Sequence, residues 1–250
     1  MIFKSFLSLF LASFICLVHT AGHTANAGVR APDKRRIAPY MTYPWNLMGR
    51  VEFKAKDNKG KLVSVPAANV CTGILLSEDL VLTSATCLLD RPKADGIFVK
   101  ISLANVPIQV RATFVSPNPR EADFALLKLD RAVAAGYRMI AIGGATRDAL
   151  MSVPVMAAAY SPDKMGGEYL AFDAECMVTS ASNTILETDC GVSSMAVGGP
   201  LIYFNDDGTA FLLGIKTTDR GSASTFISSP VFQRAIHDAL AGHLAMTPYR

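Results

Sequence analysis

An all-β fold of the sandwich or barrel type, followed by one C-terminal amphipathic helix, is what the sequence predicts. Three observations predict it. Short apolar or alternating runs recur from Trp45 onward, turn residues punctuate them, and only the segment after Ser229 changes to helical spacing. The 250 residues are half hydrophobic and 18% charged, which suits a sizeable core and argues against a disordered chain. A net charge of +3, scattered along the chain, does not suggest a nucleic-acid binder. Mean hydropathy is +0.29, so the hydrophobicity must be located before it is interpreted.

Part of it lies at the start. Lys4 precedes an apolar stretch of thirteen residues, 6–18, short of the roughly 18–20 needed to span a bilayer. A more polar stretch then ends in Ala25-Asn26-Ala27. This reads as a secretory signal over residues 1–27, cleaved near Ala27, with export to the periplasm or the medium. No membrane association is expected of the mature chain. Residues 28–44 carry Pro and Arg with little apolar pattern and read as an extended leader, the basic run Lys34-Arg35-Arg36 being a solvated part of it.

The strands follow in order. Apolar or alternating runs occupy 47–53, 73–76, 80–83, 97–103, 108–115 and 124–129, and a second set occupies 152–158, 168–172, 200–204 and 210–217. Asn205-Asp206-Asp207-Gly208 is a hairpin signal between the last two. In 230–245, Val231, Phe232, Ala235, Ile236, Ala239, Leu240 and Leu244 fall near helical spacing, with Ser229 as N-cap and Pro230 at the first helical position. The single tryptophan, Trp45, reads as a core or barrel-closing aromatic.

Of five cysteines, Cys16 leaves with the signal. The remaining four, in an oxidising compartment, suggest two local disulfides, Cys71 with Cys87 and Cys176 with Cys190. Each closes a short loop, worth about 3 kcal/mol in the chain-entropy picture. The spacings are not CxxC and no His lies near either pair, so no metal and no cofactor is expected.

Four stretches then line up in one order. Tyr43-Pro44-Trp45 leads into Met48-Gly49-Arg50-Val51; Cys71-Thr72-Gly73-Ile74-Leu75 runs to Leu82-Thr83-Ser84-Ala85-Thr86-Cys87. Ala122-Asp123-Phe124-Ala125-Leu126-Leu127 comes next, and Thr188-Asp189-Cys190 precedes Gly198-Gly199-Pro200-Leu201-Ile202 and Leu212-Leu213-Gly214-Ile215. This order resembles the chymotrypsin-like serine proteases, and within them the bacterial exported branch related to glutamyl endopeptidases. The resemblance implies two six-stranded β-barrels with a cleft between them. Barrels are expected over 45–140 and 141–229, and a helix and tail over 230–250.

The resemblance also places the catalytic positions. Where the family has its histidine, before the second cysteine of L-T-A-A-H-C, this chain has Thr86. The aspartate is retained as Asp123, and Val197 stands at the serine of G-x-S-G-G-P. A serine hydroxyl needs a neighbouring imidazole to take its proton, and the carboxylate only orients that imidazole. Valine has no nucleophilic atom, and threonine is no general base near neutral pH. Loss of nucleophile or base alone costs on the order of 10⁶ in turnover in a subtilisin-type enzyme.

Substitutes are few. Ser193 and Ser194 lie just upstream of Val197, but recruiting either shifts the register of the Gly198-Gly199-Pro200 match. His19 and His23 leave with the signal, and His237 and His243 fall in the terminal helical segment. Lys128 follows Asp123 on its strand and is expected to face solvent. The oxyanion-hole region of the family falls on Met195 and Val197, with Met195 replacing a glycine and expected to cover the cleft. Arg36-Ile37 looks like a tryptic activation site, but the position that would pair with the new N-terminus is Ala196. Asp123 is expected to be buried, with backbone N–H groups and the Thr86 hydroxyl satisfying it. The sequence therefore reads as an exported, catalytically inactive protease homologue that binds a peptide or protein. The alternative is a working peptidase with a non-standard nucleophile and base.

Overall fold

The computed structural model describes residues 33–65, 70–89, 94–104, 106–133, 137–143, 146–219 and 223–249. The expected signal segment, residues 1–27, lies outside them. A two-residue strand, β1 (Arg36–Ile37), comes first. The N-terminal barrel follows: β2 (Met48–Lys56) with a hairpin partner β3 (Leu62–Ser64), then β4 (Val70–Ser77), β5 (Leu80–Thr83), β6 (Gly96–Ile101), β7 (Ile108–Val115) and β8 (Ala125–Leu129). Its strands pair in the cyclic order β2–β4–β5–β8–β7–β6 and back to β2.

A short β9 (Ala141–Ile142) leads to the second barrel of β10 (Pro154–Tyr160), β11 (Leu170–Ala181), β12 (Ile185–Thr188), β14 (Pro200–Phe204), β15 (Ala210–Lys216) and β16 (Ser224–Ser228). It closes as β11–β10–β14–β15–β16–β12 and back to β11. Between its strands lies β13 (Ala196–Val197), and β17 (Thr247–Pro248) ends the chain on β7. The helices are α1 (Thr86–Leu89), α2 (Arg147–Leu150) and α3 (Ser229–Leu240). Two closed six-stranded antiparallel barrels and a C-terminal helix are the architecture that the resemblance implies.

Alternation builds each wall. In β2, Val51 and Phe53 are buried while Arg50 and Glu52, which alternate with them, are half-exposed. The strand at 168–172 runs much further than its apolar run suggests, as β11 over twelve residues. Its second half alternates with polar residues, which hides it from an apolar-run reading. Both cysteine pairs form as expected: Cys71–Cys87 ties β4 to α1, and Cys176–Cys190 ties β11 to the chain after β12, with Cα separations of 5.8 and 4.8 Å.

Helix α3 is shorter than the apolar spacing predicts. Ser228, not Ser229, is the N-cap residue, and the helix stops at Leu240 because Gly242 turns left-handed with φ of 74°. His243 and Leu244 therefore lie beyond the helix. Its buried Phe232 faces Phe124 of the first half at 6.1 Å between ring centroids, so the helix touches both barrels.

The leader also departs from expectation. Arg35 is buried, its guanidinium gripping Asp163 at 2.9 and 3.1 Å and Asp33 at 2.9 and 3.2 Å. The Arg35 hydrogen bonds, helped by Lys164, hold the Asp33 carboxyl well below the usual carboxylate range. Arg36 lies over the Phe172 ring at 5.3 Å, and Trp45 packs on the same ring at 4.7 Å. Only Lys34 and Arg36 of the basic run are exposed. Ion pairing plus an arginine's apolar stem make a basic leader a strap on the second barrel rather than a solvated tail.

Candidate active site

Three loop segments converge on Asp123. Ser84 comes from the turn after β5 and Thr86 from the first residue of α1, Asp123 from the approach to β8, and Thr217 from the residue after β15. Asp123 is 4% exposed. The Ser84 hydroxyl donates to it, 2.8 Å from each oxygen, and the Thr86 N–H donates at 2.8 Å. The Thr86 hydroxyl donates at 3.1 Å, and the Thr217 hydroxyl completes the set. An ionised carboxylate offers about four acceptor positions. Three hydroxyls and one backbone N–H therefore fill it. The reading of Asp123 as a satisfied buried carboxylate holds, but Ser84 and Thr217 are partners that the motif comparison does not name.

Val197 is 1% exposed and belongs to the continuous apolar core that includes Cys71, Cys87 and Ala158. Its strand β13 runs parallel to β4, Ala196 opposite Val70 and Val197 opposite Cys71. Val70 donates its N–H to the Met195 C=O at 3.1 Å. In such a ladder the Val197 N–H faces β4 as well. The segment at the oxyanion-hole positions is thus engaged with its own sheet.

The backbone at Gly198 requires a glycine. Its φ is 81°, and a Cβ there would sit 2.2 Å from the Thr72 C=O and 2.5 Å from Thr83 Oγ1. Its N–H donates to the Lys216 C=O at 2.7 Å, and the Lys216 N–H returns to the Gly199 C=O at 2.7 Å. The turn is wedged between the segment leading to Thr86 and the end of β15.

A cleft of about 400 Å³ opens beside Asp123, walled by Thr86, Leu89, Pro119, Thr217 and Asp219. Met195 is half-buried and does not line it, so the expectation that this side chain covers the cleft is corrected. Ser193 is fully buried, its Oγ accepting from the Met195 N–H at 3.3 Å, and Ser194 is half-buried. His237 is 82% exposed beside Asp238 on α3, His243 is exposed, and neither lines the cleft. Lys128 pairs with Asp79 at 2.7 Å on the outer face of the first barrel. Among the described residues no group of three His, Cys, Asp or Glu gathers as metal ligands.

Motif reading also missed Lys216. Its side chain is fully buried, and its ammonium donates to Asp219 at 2.5 Å and to the Thr217 C=O at 2.6 Å. Burial pushes its pKa down, opposed by the charges of Asp219 and Asp123. A lysine closing an apolar strand reads as one that reaches for solvent. The available signal was Asp219, three residues on.

Two closed six-stranded barrels with these loops at their seam define the fold of the chymotrypsin-like serine proteases. The family model of the trypsin-like peptidase domain matches residues 71–215, more than half of the chain, and the protein belongs to that family. A solved structure of Glu endopeptidase in complex with MPD is similar, with a TM-score of 0.67. The likeness covers 85% of this chain and 99% of that one at 18% sequence identity. None of the curated proteins matches the sequence.

Proposed function

We infer that this is an exported, catalytically inactive member of the trypsin-like family that holds a peptide or protein segment in the cleft beside Asp123. The observation that carries the reading is the state of Asp123. Its carboxylate accepts from Ser84, Thr86 and Thr217, with Thr86 at the base position and Val197 buried at the nucleophile position. A carboxylate so occupied serves the fold, and among the described residues no imidazole is there for it to orient. The rival reading, a working peptidase with a displaced nucleophile, needs a base. Among the described residues Lys216, whose ammonium feels the charge of Asp123, already gives that ammonium to Asp219 and a backbone carbonyl.

Export rests on the signal-like residues 1–27, with Ala25-Asn26-Ala27 as the cleavage site, and on two cysteine pairs at bonding distance. Periplasm or medium is the destination. Binding rests on the open cleft and on Leu89, which is 56% exposed on its wall. A solvent-facing leucine beside hydroxyls and backbone suits an extended peptide.

Binding of fluorescently labelled peptides from unfolded casein, read by anisotropy, tests this on the mature chain. Saturable binding is expected, weakened at least tenfold by Leu89→Glu with an unchanged circular dichroism spectrum. No saturable binding, or binding indifferent to Leu89→Glu, would remove the cleft as the binding surface.

A further inference from the structure

A second cavity, of about 270 Å³, lies where the leader strap crosses the seam of the two barrels, and it shares no lining residue with the cleft at Asp123. Ile37 and Tyr40 of the strap, Ile101 and Val106 of the first barrel, and Tyr169 and Leu170 at the start of β11 supply its apolar walls. Four of these stay uncovered: Ile37 is 40% exposed, Tyr40 57%, Val106 56% and Tyr169 46%. Scattered apolar side chains at a surface are ordinary. Four of them around one cavity mark a place where something binds.

The polar groups there are few and mostly of one sign. Lys100 makes no salt bridge, and the Tyr160 hydroxyl no hydrogen bond, among the described residues. Arg50 donates to the Gly167 C=O at 3.1 Å and lies 3.5 Å from Glu52. Glu168 is the one carboxylate on the wall, against the two cations Lys100 and Arg50. Burial pushes the Tyr160 hydroxyl up to about 12, so it remains a neutral O–H donor at neutral pH. Apolar walls with a few convergent polar groups are the usual make-up of a small-molecule site.

We propose that this cavity binds a medium-chain aliphatic monocarboxylate, its chain between Ile37, Val106 and Leu170 and its carboxylate toward Lys100 and the Tyr160 hydroxyl. The volume is that of about nine waters at ~30 Å³ each, which suits a chain of roughly eight carbons. The unpaired ammonium selects an anion, and the unpartnered phenol gives it a second donor. This site is independent of the peptide-binding reading.

Calorimetry on the full mature protein tests it, with octanoate, octylamine, and N-acetyl-Phe-Leu as free acid and as amide. Octanoate is expected to bind saturably, and octylamine at least tenfold more weakly. Lys100→Glu should weaken octanoate at least tenfold, Val106→Trp should fill the cavity and abolish binding, and Leu89→Glu in the other cleft should change nothing. No saturable heat with octanoate at millimolar concentration overturns the proposal. So does equal binding of octanoate and octylamine, or octanoate binding that survives Val106→Trp. Tighter binding of the free-acid dipeptide than of octanoate, lost in the amide, makes the ligand a peptide terminus and also overturns it.

Discussion

Asp123→Ala is expected to lower the stability of the fold by about 3 kcal/mol or more, because it strips the acceptor from a buried set of donors, each worth about 1–3 kcal/mol when left unmade. Those donors are the hydroxyls of Ser84, Thr86 and Thr217 and the Thr86 N–H. The cleft beside Asp123 lets water reach some of them, which keeps the loss below the full sum. Asp123→Asn should cost about half as much, since one oxygen still accepts while the amide N–H₂ faces donors. Urea denaturation reads both, as a lower midpoint at unchanged slope. In an active family member this aspartate serves turnover. Here its removal should register in the unfolding curve, and a change within about 0.5 kcal/mol, typical of an exposed site, would contradict its structural role.

Asp219→Ala should be the other large effect, and larger than Lys216→Met. Removing the acid leaves the fully buried Lys216 ammonium with one backbone carbonyl, and breaking a buried pair costs about 3–5 kcal/mol. Part of that is recovered because burial already pushes the lysine toward its neutral form. Lys216→Met fills nearly the same volume with an apolar chain beside Phe226. It leaves Asp219, 18% exposed, with the Thr225 N–H at 3.0 Å. Replacing a buried ion with an apolar chain of similar shape is often close to neutral. Thermal denaturation of the two variants at neutral pH gives the order. The reverse order would mean that the lysine, rather than its pairing, holds the end of β15.

The two barrels were legible because a half-buried strand writes itself as an apolar run and its turns as Gly, Pro, Asn and Asp. The runs at 80–83, 108–115 and 200–204 coincide with β5, β7 and β14. Strands such as β12 and β16 were not, since Ile185–Thr188 and Ser224–Ser228 carry too few apolar residues to stand out. β16 is buried throughout and β12 at every other residue, by the barrel around them, a tertiary effect that local pattern does not hold. At the site, ordered motifs singled out Thr86, Asp123 and Val197. They gave no account of Ser84, Thr217 or Lys216, whose roles depend on which side chains three separate loops bring to one carboxylate. The leader misled for the same reason: Arg35 looks solvated until Asp163, 128 residues on, comes to meet it.

The most direct measurement is reaction of the purified mature protein with a serine-directed fluorophosphonate probe, run beside a broad peptide-hydrolysis panel. The proposed function, in which Thr86 and Val197 stand at the base and nucleophile positions, predicts no label above a heat-denatured control and no cleavage. Stoichiometric labelling that disappears in Ser194→Ala, together with peptide cleavage, would contradict the account and establish a working peptidase.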